Sequence, residues 1–143
     1  MLAIGCDHGG FALKQILMEH LKERGIEYKD YGCYDEQSCD YPEYGRAVGK
    51  AVAGGECDRG VVICTTGIGI SIAANRIPGV RAALCTNGLM AKMTRLHNDA
   101  NVLALGANIV GPGLAIEILD VFLDTEFSGG ERHVRRVKGI EGD

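Results

Sequence analysis

Between positions 60 and 75 the chain reads Gly-Val-Val-Ile-Cys-Thr-Thr-Gly-Ile-Gly-Ile-Ser-Ile-Ala-Ala-Asn. The apolar run Val61 to Ile63 has the β-branched character of a buried strand. It ends at a thiol, Cys64, and a turn holding Gly67 and Gly69. Small and branched residues suited to a helix follow over 70–75. A strand that feeds a helix through a glycine turn leaves backbone N–H groups unpaired and aimed at one spot. That spot favours negative charge, whether on a phosphate, an enolate or a thiolate.

The same alternation runs through the whole chain. Strands are predicted over 2–5, 26–31, 60–63, 80–84 and 101–105. Helices are predicted over 9–24, 42–53, 70–75, 88–97 and 112–123, with a further helix closing the tail after Gly129. In the first helix Leu13, Ile16, Leu17 and Leu21 share one face, and Gly25 stops it. Strand and helix taking turns five times predicts an α/β fold. The expectation is a single domain over 1–143: a three-layer sandwich on a five-stranded parallel sheet, doubly wound in the flavodoxin-like or Rossmann-like manner. Ligands in such folds sit at the carboxyl ends of the strands, at a topological switch point. If strands one and three are neighbours, Cys6-Asp7-His8-Gly9-Gly10 and Cys64-Thr65-Thr66-Gly67 meet there.

Composition narrows the function. The net charge of −4 argues against a nucleic-acid or anionic-membrane surface. No apolar run approaches the roughly 20 residues of a membrane span, and the N-terminus has no signal-peptide pattern. The 6 cysteines, at 6, 33, 39, 57, 64 and 85, form no Cys-x-x-Cys pair. Zinc frameworks and redox dithiols are not expected, nor is any metal. Reduced thiols in a cytoplasmic protein are.

Cys64 is the sharpest chemical candidate. A free cysteine is often a small buried hydrophobe. At a strand end before a glycine turn, however, a thiol is placed to act as base or nucleophile. Cys6 and Cys85 read as core positions. Asp7 and His8 close the first strand, where Asp7 either caps the following helix or faces the ligand. His97-Asn98-Asp99 is a turn before strand five or a proton-transfer group. His20 reads as part of a solvated helix face. Arg132, His133, Arg135 and Arg136 form either a solvated basic tail or a phosphate clamp. Tyr41, in Asp40-Tyr41-Pro42, enters a helix or lines a pocket. A cysteine phosphatase needs arginine at position 70, which is Ile70 here, and no Walker loop is present. Where a response regulator carries its acceptor aspartate stands Cys64.

Five segments together carry a resemblance: Gly5-Cys6-Asp7-His8-Gly9-Gly10; Asp40-Tyr41-Pro42; Cys64-x-Thr66-Gly67-x-Gly69-Ile70-Ser71-Ile72-Ala73-Ala74-Asn75; Arg95-x-His97-Asn98-Asp99-x-Asn101; and the Gly-Gly…Arg-His…Arg-Val tail. Over essentially its whole length the chain resembles the sugar-phosphate isomerase family of ribose-5-phosphate isomerase B and the galactose-6-phosphate isomerase subunits. That resemblance implies a cofactor-free aldose–ketose isomerase of pentose phosphate metabolism, interconverting ribose 5-phosphate and ribulose 5-phosphate through an enediolate. It implies Cys64 as the base between C2 and C1. His97, helped by Asp7 or Thr66, would open the sugar ring. The backbone of Thr65, Thr66, Gly67, Ile68 and Gly69 would hold the enediolate oxygen, and Asn98 the sugar hydroxyls. His8, Arg132 and Arg136 would grip phosphate, and Tyr41 would wall the pocket. It implies a homodimer or tetramer with shared sites, the tail over 126–143 reaching a neighbouring subunit. One branch of the family uses a glutamate at the position of Ile70, so Cys64 is the base on offer here.

Three residues depart from the family pattern. Thr65 stands where glycine is usual, Asn108 where an arginine often helps hold phosphate, and Glu131 interrupts Gly-Gly-Arg-His. All three bear on substrate binding more than on proton transfer. They keep open an isomerase of a six-carbon sugar phosphate, such as allose 6-phosphate, and a non-catalytic sugar-phosphate-binding module. A Cys–His acyl-transfer enzyme is a weaker third reading.

Overall fold

The computed structural model describes residues 1–142. Strands β1 (Leu2–Cys6), β2 (Tyr28–Asp30), β3 (Arg59–Cys64), β4 (Ala82–Leu84) and β5 (Val102–Gly106) form one parallel 5-stranded sheet in the order β2-β1-β3-β5-β4. Helices α1 (Phe11–Glu23), α2 (Tyr41–Ala53), α3 (Ile68–Asn75), α4 (Gly88–Asn98), α5 (Pro112–Asp124) and α6 (Glu131–Glu141) complete the chain, with a short 3-10 turn at His8–Gly10. The final residue of the expected 126–143 tail lies outside the described residues. Among the described residues, no helix is long and apolar enough to cross a membrane.

The three layers follow from the period-two alternation of strand side chains. Leu2, Ile4, Val61, Ile63, Leu103 and Leu105 face one way, onto Leu13, Leu17 and Leu21 of α1 and Ile118, Leu119 and Phe122 of α5. Ala3, Val62, Cys64, Val102 and Ala104 face the other way, onto Val48 and Val52 of α2 and Ile70 and Ala74 of α3. The second face is built of smaller residues, so α2 lies close to the sheet. A Cβ at Gly60 would stand 2.5 Å from Val48 Cγ1, and one at Gly5 would stand 2.8 Å from Val48 Cγ2.

β1 and β3 are neighbours, as the flavodoxin-like expectation requires. The far half of the sheet departs from that order, because β5 lies inside and β4 takes the edge. All 5 residues of β5 are buried, whereas the 3 residues of β4 are half-buried. The longer, fully apolar strand thus occupies the position covered on both faces. β4 starts at Ala82 rather than at position 80, because Val80 N–H closes a turn on the Ile77 carbonyl and Arg81 N–H donates to Asn101 Oδ1.

Ile16 is exposed rather than on the buried face of Leu13, Leu17 and Leu21, and two other side chains also behave differently from their sequence patterns. His20 is half-buried and paired: its Nε2 lies 2.8 Å from Asp120 Oδ1, and Arg24 bridges Asp120 and Asp124, which ties α1 to α5. Lys14, on the apolar side of α1, is fully buried. Its Nζ donates to Asp30 Oδ1 at 2.6 Å and to the Cys33 carbonyl, and sits 5.3 Å from the Tyr34 ring centroid. A buried ammonium is tolerated only with such partners. It anchors the segment after β2 beneath the end of β1, where Cys33 N–H donates to the Cys6 carbonyl at 2.7 Å. The Cys6 and Cys85 thiols are core, as expected, and burial pushes both up, Cys85 to about 11.

Replacing Gly60 by Ala should destabilise the fold by about 1–3 kcal/mol through overpacking on Val48. Adding Val48→Ala should recover part of that loss, giving a favourable coupling energy in urea unfolding. Simple addition of the two losses would show that the close approach of α2 is not what excludes a side chain at Gly60.

Candidate active site

The β1–β3 pairing sets Cys6 opposite Ile63 and brings two strand ends together. Asp7 N–H donates to the Ile63 carbonyl at 3.2 Å, so Asp7 begins its loop beside Cys64. A cavity of about 460 Å³ opens at this point, lined by Asp7, Tyr41, Cys64, Thr65, Thr66, Ile68, Gly69 and Ile72.

Each residue is held there for a local reason. Cys64 is buried, and its Sγ accepts the Gly67 N–H at 3.1 Å. An N–H aimed at sulfur is the contact that a thiolate needs. Gly67 has φ of 79°, and a Cβ there would press on Leu84 Cδ1 at 2.6 Å, so only glycine turns the chain at this place. α3 therefore begins at Ile68, earlier than the sequence pattern suggests, with Thr66 Oγ1 accepting the Ile68 N–H at 3.3 Å. The remaining N–H groups of the first turn of α3 have no acceptor within the helix. Tyr41 lies across that turn, where a Cβ on Gly69 would stand 2.6 Å from the ring.

Asp7 caps the following turn and also lines the cavity. Its Oδ1 accepts the Gly10 N–H at 3.2 Å. His8 is half-buried, and its Nδ1 accepts the Cys39 N–H at 3.2 Å. Nδ1 as acceptor leaves Nε2 to carry the proton of the neutral ring, a donor suited to an anion. Nothing in the sequence pattern signalled this tie between His8 and the 33–40 loop.

The remaining candidates lie elsewhere in the chain. His97 lines a second cavity of about 420 Å³ with Leu96, Ser128, Gly130, Arg132 and His133. The His97 and His133 rings stack with centroids 4.3 Å apart and 6° between planes. Asn98 lines a third cavity, beside Arg76, Arg81 and Ile140. Arg136 is exposed on α6. Asn108 is exposed just beyond β5, and its N–H donates to the Thr65 carbonyl at 2.9 Å. Glu131 opens α6 directly beside Arg132. The single chain thus brings Asp7, Tyr41 and the Cys64 loop together, and gathers His97 with Arg132 separately.

The second group is held by a residue whose structural part the sequence did not reveal. Arg95 is buried on α4, with Nε donating to the Thr125 carbonyl at 2.9 Å and Nη1 donating to Asp99 Oδ1 at 2.9 Å and the Ala100 carbonyl at 2.7 Å. It fastens the turn that carries His97 and Asn98 to the end of α5. Ser128 Oγ donates to the Leu96 carbonyl at 2.7 Å, which sets the start of the tail against α4.

A doubly wound fold with a thiol in a glycine loop at its switch point defines a class of small-molecule enzyme. The chain matches the ribose/galactose isomerase family over residues 2–140. It is 50% identical over 139 residues to ribose-5-phosphate isomerase B of Escherichia coli, covering 97% of this chain and 93% of that protein. It is 40% identical over 141 residues to galactose-6-phosphate isomerase subunit LacB of Clostridium acetobutylicum, covering 99% of this chain and 82% of that one. The solved structure of Clostridium thermocellum ribose-5-phosphate isomerase B superposes with a TM-score of 0.96 at 56% identity, covering 98% of this chain and 94% of the other. The chain belongs to the ribose/galactose isomerase family.

The stacked pair yields a pH prediction. Desolvation, and then the charges of His97, Arg132 and Arg136, hold His133 below its ordinary value of 6.5. The folded state therefore prefers the neutral ring, and this preference weakens the fold as pH falls through about 6.5. An NMR titration should find His133 protonating below the usual histidine range, and Arg132→Ala should move it back upward. A His133 that titrates normally in both proteins would show that neither desolvation nor these charges act on its ring.

Proposed function

We propose that this chain is an aldose–ketose isomerase that interconverts ribose 5-phosphate and ribulose 5-phosphate, with Cys64 as its base. The observation that carries the reading is Cys64 lining a cavity at the sheet's switch point while its Sγ accepts a backbone N–H from its own glycine loop. In the forward direction the thiolate takes the C2 proton of the open-chain aldose. The electron pair moves towards C1, and the carbonyl oxygen gains charge as the enediolate forms. The hydroxyl proton passes from O2 to O1, and returning the carbon-bound proton to C1 as the enediolate collapses onto C2=O gives the ketose and restores the thiolate. N–H groups of the Thr65–Gly69 loop offset the oxyanion charge. This chemistry asks for no metal or cofactor.

The other roles are those that the family resemblance implies. Asp7 and Thr66 flank the thiol and are placed to move a hydroxyl proton during ring opening. His8 offers Nε2–H to phosphate, and Tyr41 walls the cavity. His97 serves as the ring-opening acid–base group, Asn98 as a partner of sugar hydroxyls, and Arg132 and Arg136 as the phosphate clamp. These four are not in the Cys64 cavity of one protomer, so the reading places them across a two-fold interface, completing the site of a second copy. A homodimer, or a tetramer of two such dimers, is the proposed assembly, with the 126–143 tail reaching the neighbour. The 6 free cysteines suit a reducing compartment, and we place the protein in the cytoplasm. A six-carbon sugar phosphate is the second reading, favoured by exposed, uncharged Asn108 and by Glu131 beside Arg132.

A coupled assay on ribose 5-phosphate tests this. Cys64→Ser should lower kcat by about 10²–10⁴-fold with little change in KM, because the base acts in the transition state. Full activity in that variant would end the assignment of the base. Mixing Cys64→Ser with His97→Asn subunits under exchange should restore about a quarter of wild-type activity, since half of random two-fold dimers are mixed and each has one intact site. Two inactive parents that stay inactive when mixed would place His97 and Cys64 in the same subunit's site.

A further inference from the structure

Gly9 lacks a side chain for a reason that its backbone does not supply, since its φ lies outside the positive range. The reason is Thr65. A Cβ built on Gly9 would run into Thr65 Oγ1, and would stand 3.3 Å from the Thr65 nitrogen and 3.4 Å from Asp7 Oδ1. The Thr65 side chain therefore sits in the space that a larger residue at position 9 would fill. Thr65 is exposed, and it lines the same cavity as Cys64 and Asp7. Its carbonyl is fixed by Asn108 N–H at 2.9 Å, so its backbone has little room to retreat.

From this geometry we infer that the Thr65 side chain, seated over Gly9, limits the length of substrate that the site accepts and selects five-carbon over six-carbon sugar phosphates. The inference rests on the isomerase reading above. Thr65 follows the thiol that works on C1 and C2, and Gly9 follows His8, which faces the phosphate in that reading. On that reading the Thr65 side chain lies in the stretch between the reacting carbons and the phosphate end. A sugar longer by one carbon needs that stretch. The neighbouring loop cannot yield it, because Asp7 is capped onto Gly10 and its N–H is paired with the β3 backbone. In a hydrophobic or half-polar pocket, one added carbon is discriminated by roughly 10–200-fold.

The test compares kcat/KM for ribose 5-phosphate and allose 6-phosphate in wild type and Thr65→Ala. Alanine keeps the backbone restrained and removes only the hydroxyl and methyl. The wild type should prefer ribose 5-phosphate, and Thr65→Ala should shift the ratio towards allose 6-phosphate by about tenfold. A shift smaller than about threefold, or a wild type that already prefers the six-carbon sugar, overturns the inference. A general loss of fold or of catalytic power scales both sugars alike and leaves the ratio in place. The second arm uses Gly9→Ala. Alone it should lower kcat/KM on both sugars by at least about tenfold; with Thr65→Ala it should return to within about threefold of the Thr65→Ala single variant. Additive losses overturn the inference. Thermal unfolding of Gly9→Ala separates a lost fold from a displaced loop, and rescue in the double variant stands in either case. Silence of the wild type on both sugars would instead sink the isomerase reading, and this inference with it. Turnover with an unmoved ratio sinks only the role of Thr65.

Discussion

The parallel pairing of β1 with β3 is the contact on which the site depends. Its register sets Cys6 against Ile63, so two strands end at the same height. Asp7 and Cys64 then emerge side by side, each at the start of a loop that must turn sharply into a helix. From Ala3 and Gly60 onward both strands are apolar and buried, and no slip by one residue is tolerated. A slip would exchange the Leu2, Ile4, Val61 and Ile63 face for the Ala3, Val62 and Cys64 face. It would also carry the thiol to the side of α1 and α5.

Around that pairing the fold uses small residues to bring backbones close. Gly5 and Gly60 admit Val48, which lets α2 deliver Tyr41 to the edge of the cavity. Gly69 admits the Tyr41 ring, and Gly9 admits Thr65. Buried cations fasten the outer parts. Lys14 holds the segment after β2 under the end of β1, and Arg95 holds the His97 turn against the end of α5. Each satisfies backbone carbonyls as well as a carboxylate, which offsets the cost of removing a charge from water.

The legible part of the fold was its alternation. Apolar runs bounded by glycine located β1, β3 and β5 to within a residue or two, and Gly67 and Gly69 marked the thiol-bearing turn. The edge strands were less legible. β2 and β4 are each 3 residues long, and their ends are set by side-chain partners such as Asn101 Oδ1 on Arg81 N–H rather than by local pattern. His20 read as solvated because its partner, Asp120, lies 100 positions away. Lys14 sits among leucines on α1 and carries no local sign that Asp30 and Cys33 will meet it.

The sequence by itself determined the class of fold, the thiol in its glycine turn and the membership of the segments around Cys64 and His97 in one family pattern. These are local properties: strand and helix periods, turn glycines and residue chemistry at short spacing. Tertiary structure decided which of those residues meet. It put β5 inside β4, joined Asp7 to Cys64 across 57 positions of chain, and left His97 and Arg132 on another part of the molecule. It also seated Thr65 over Gly9. Such meetings depend on strand order and on the close approach of distant backbones, and short-range pattern carries no record of either.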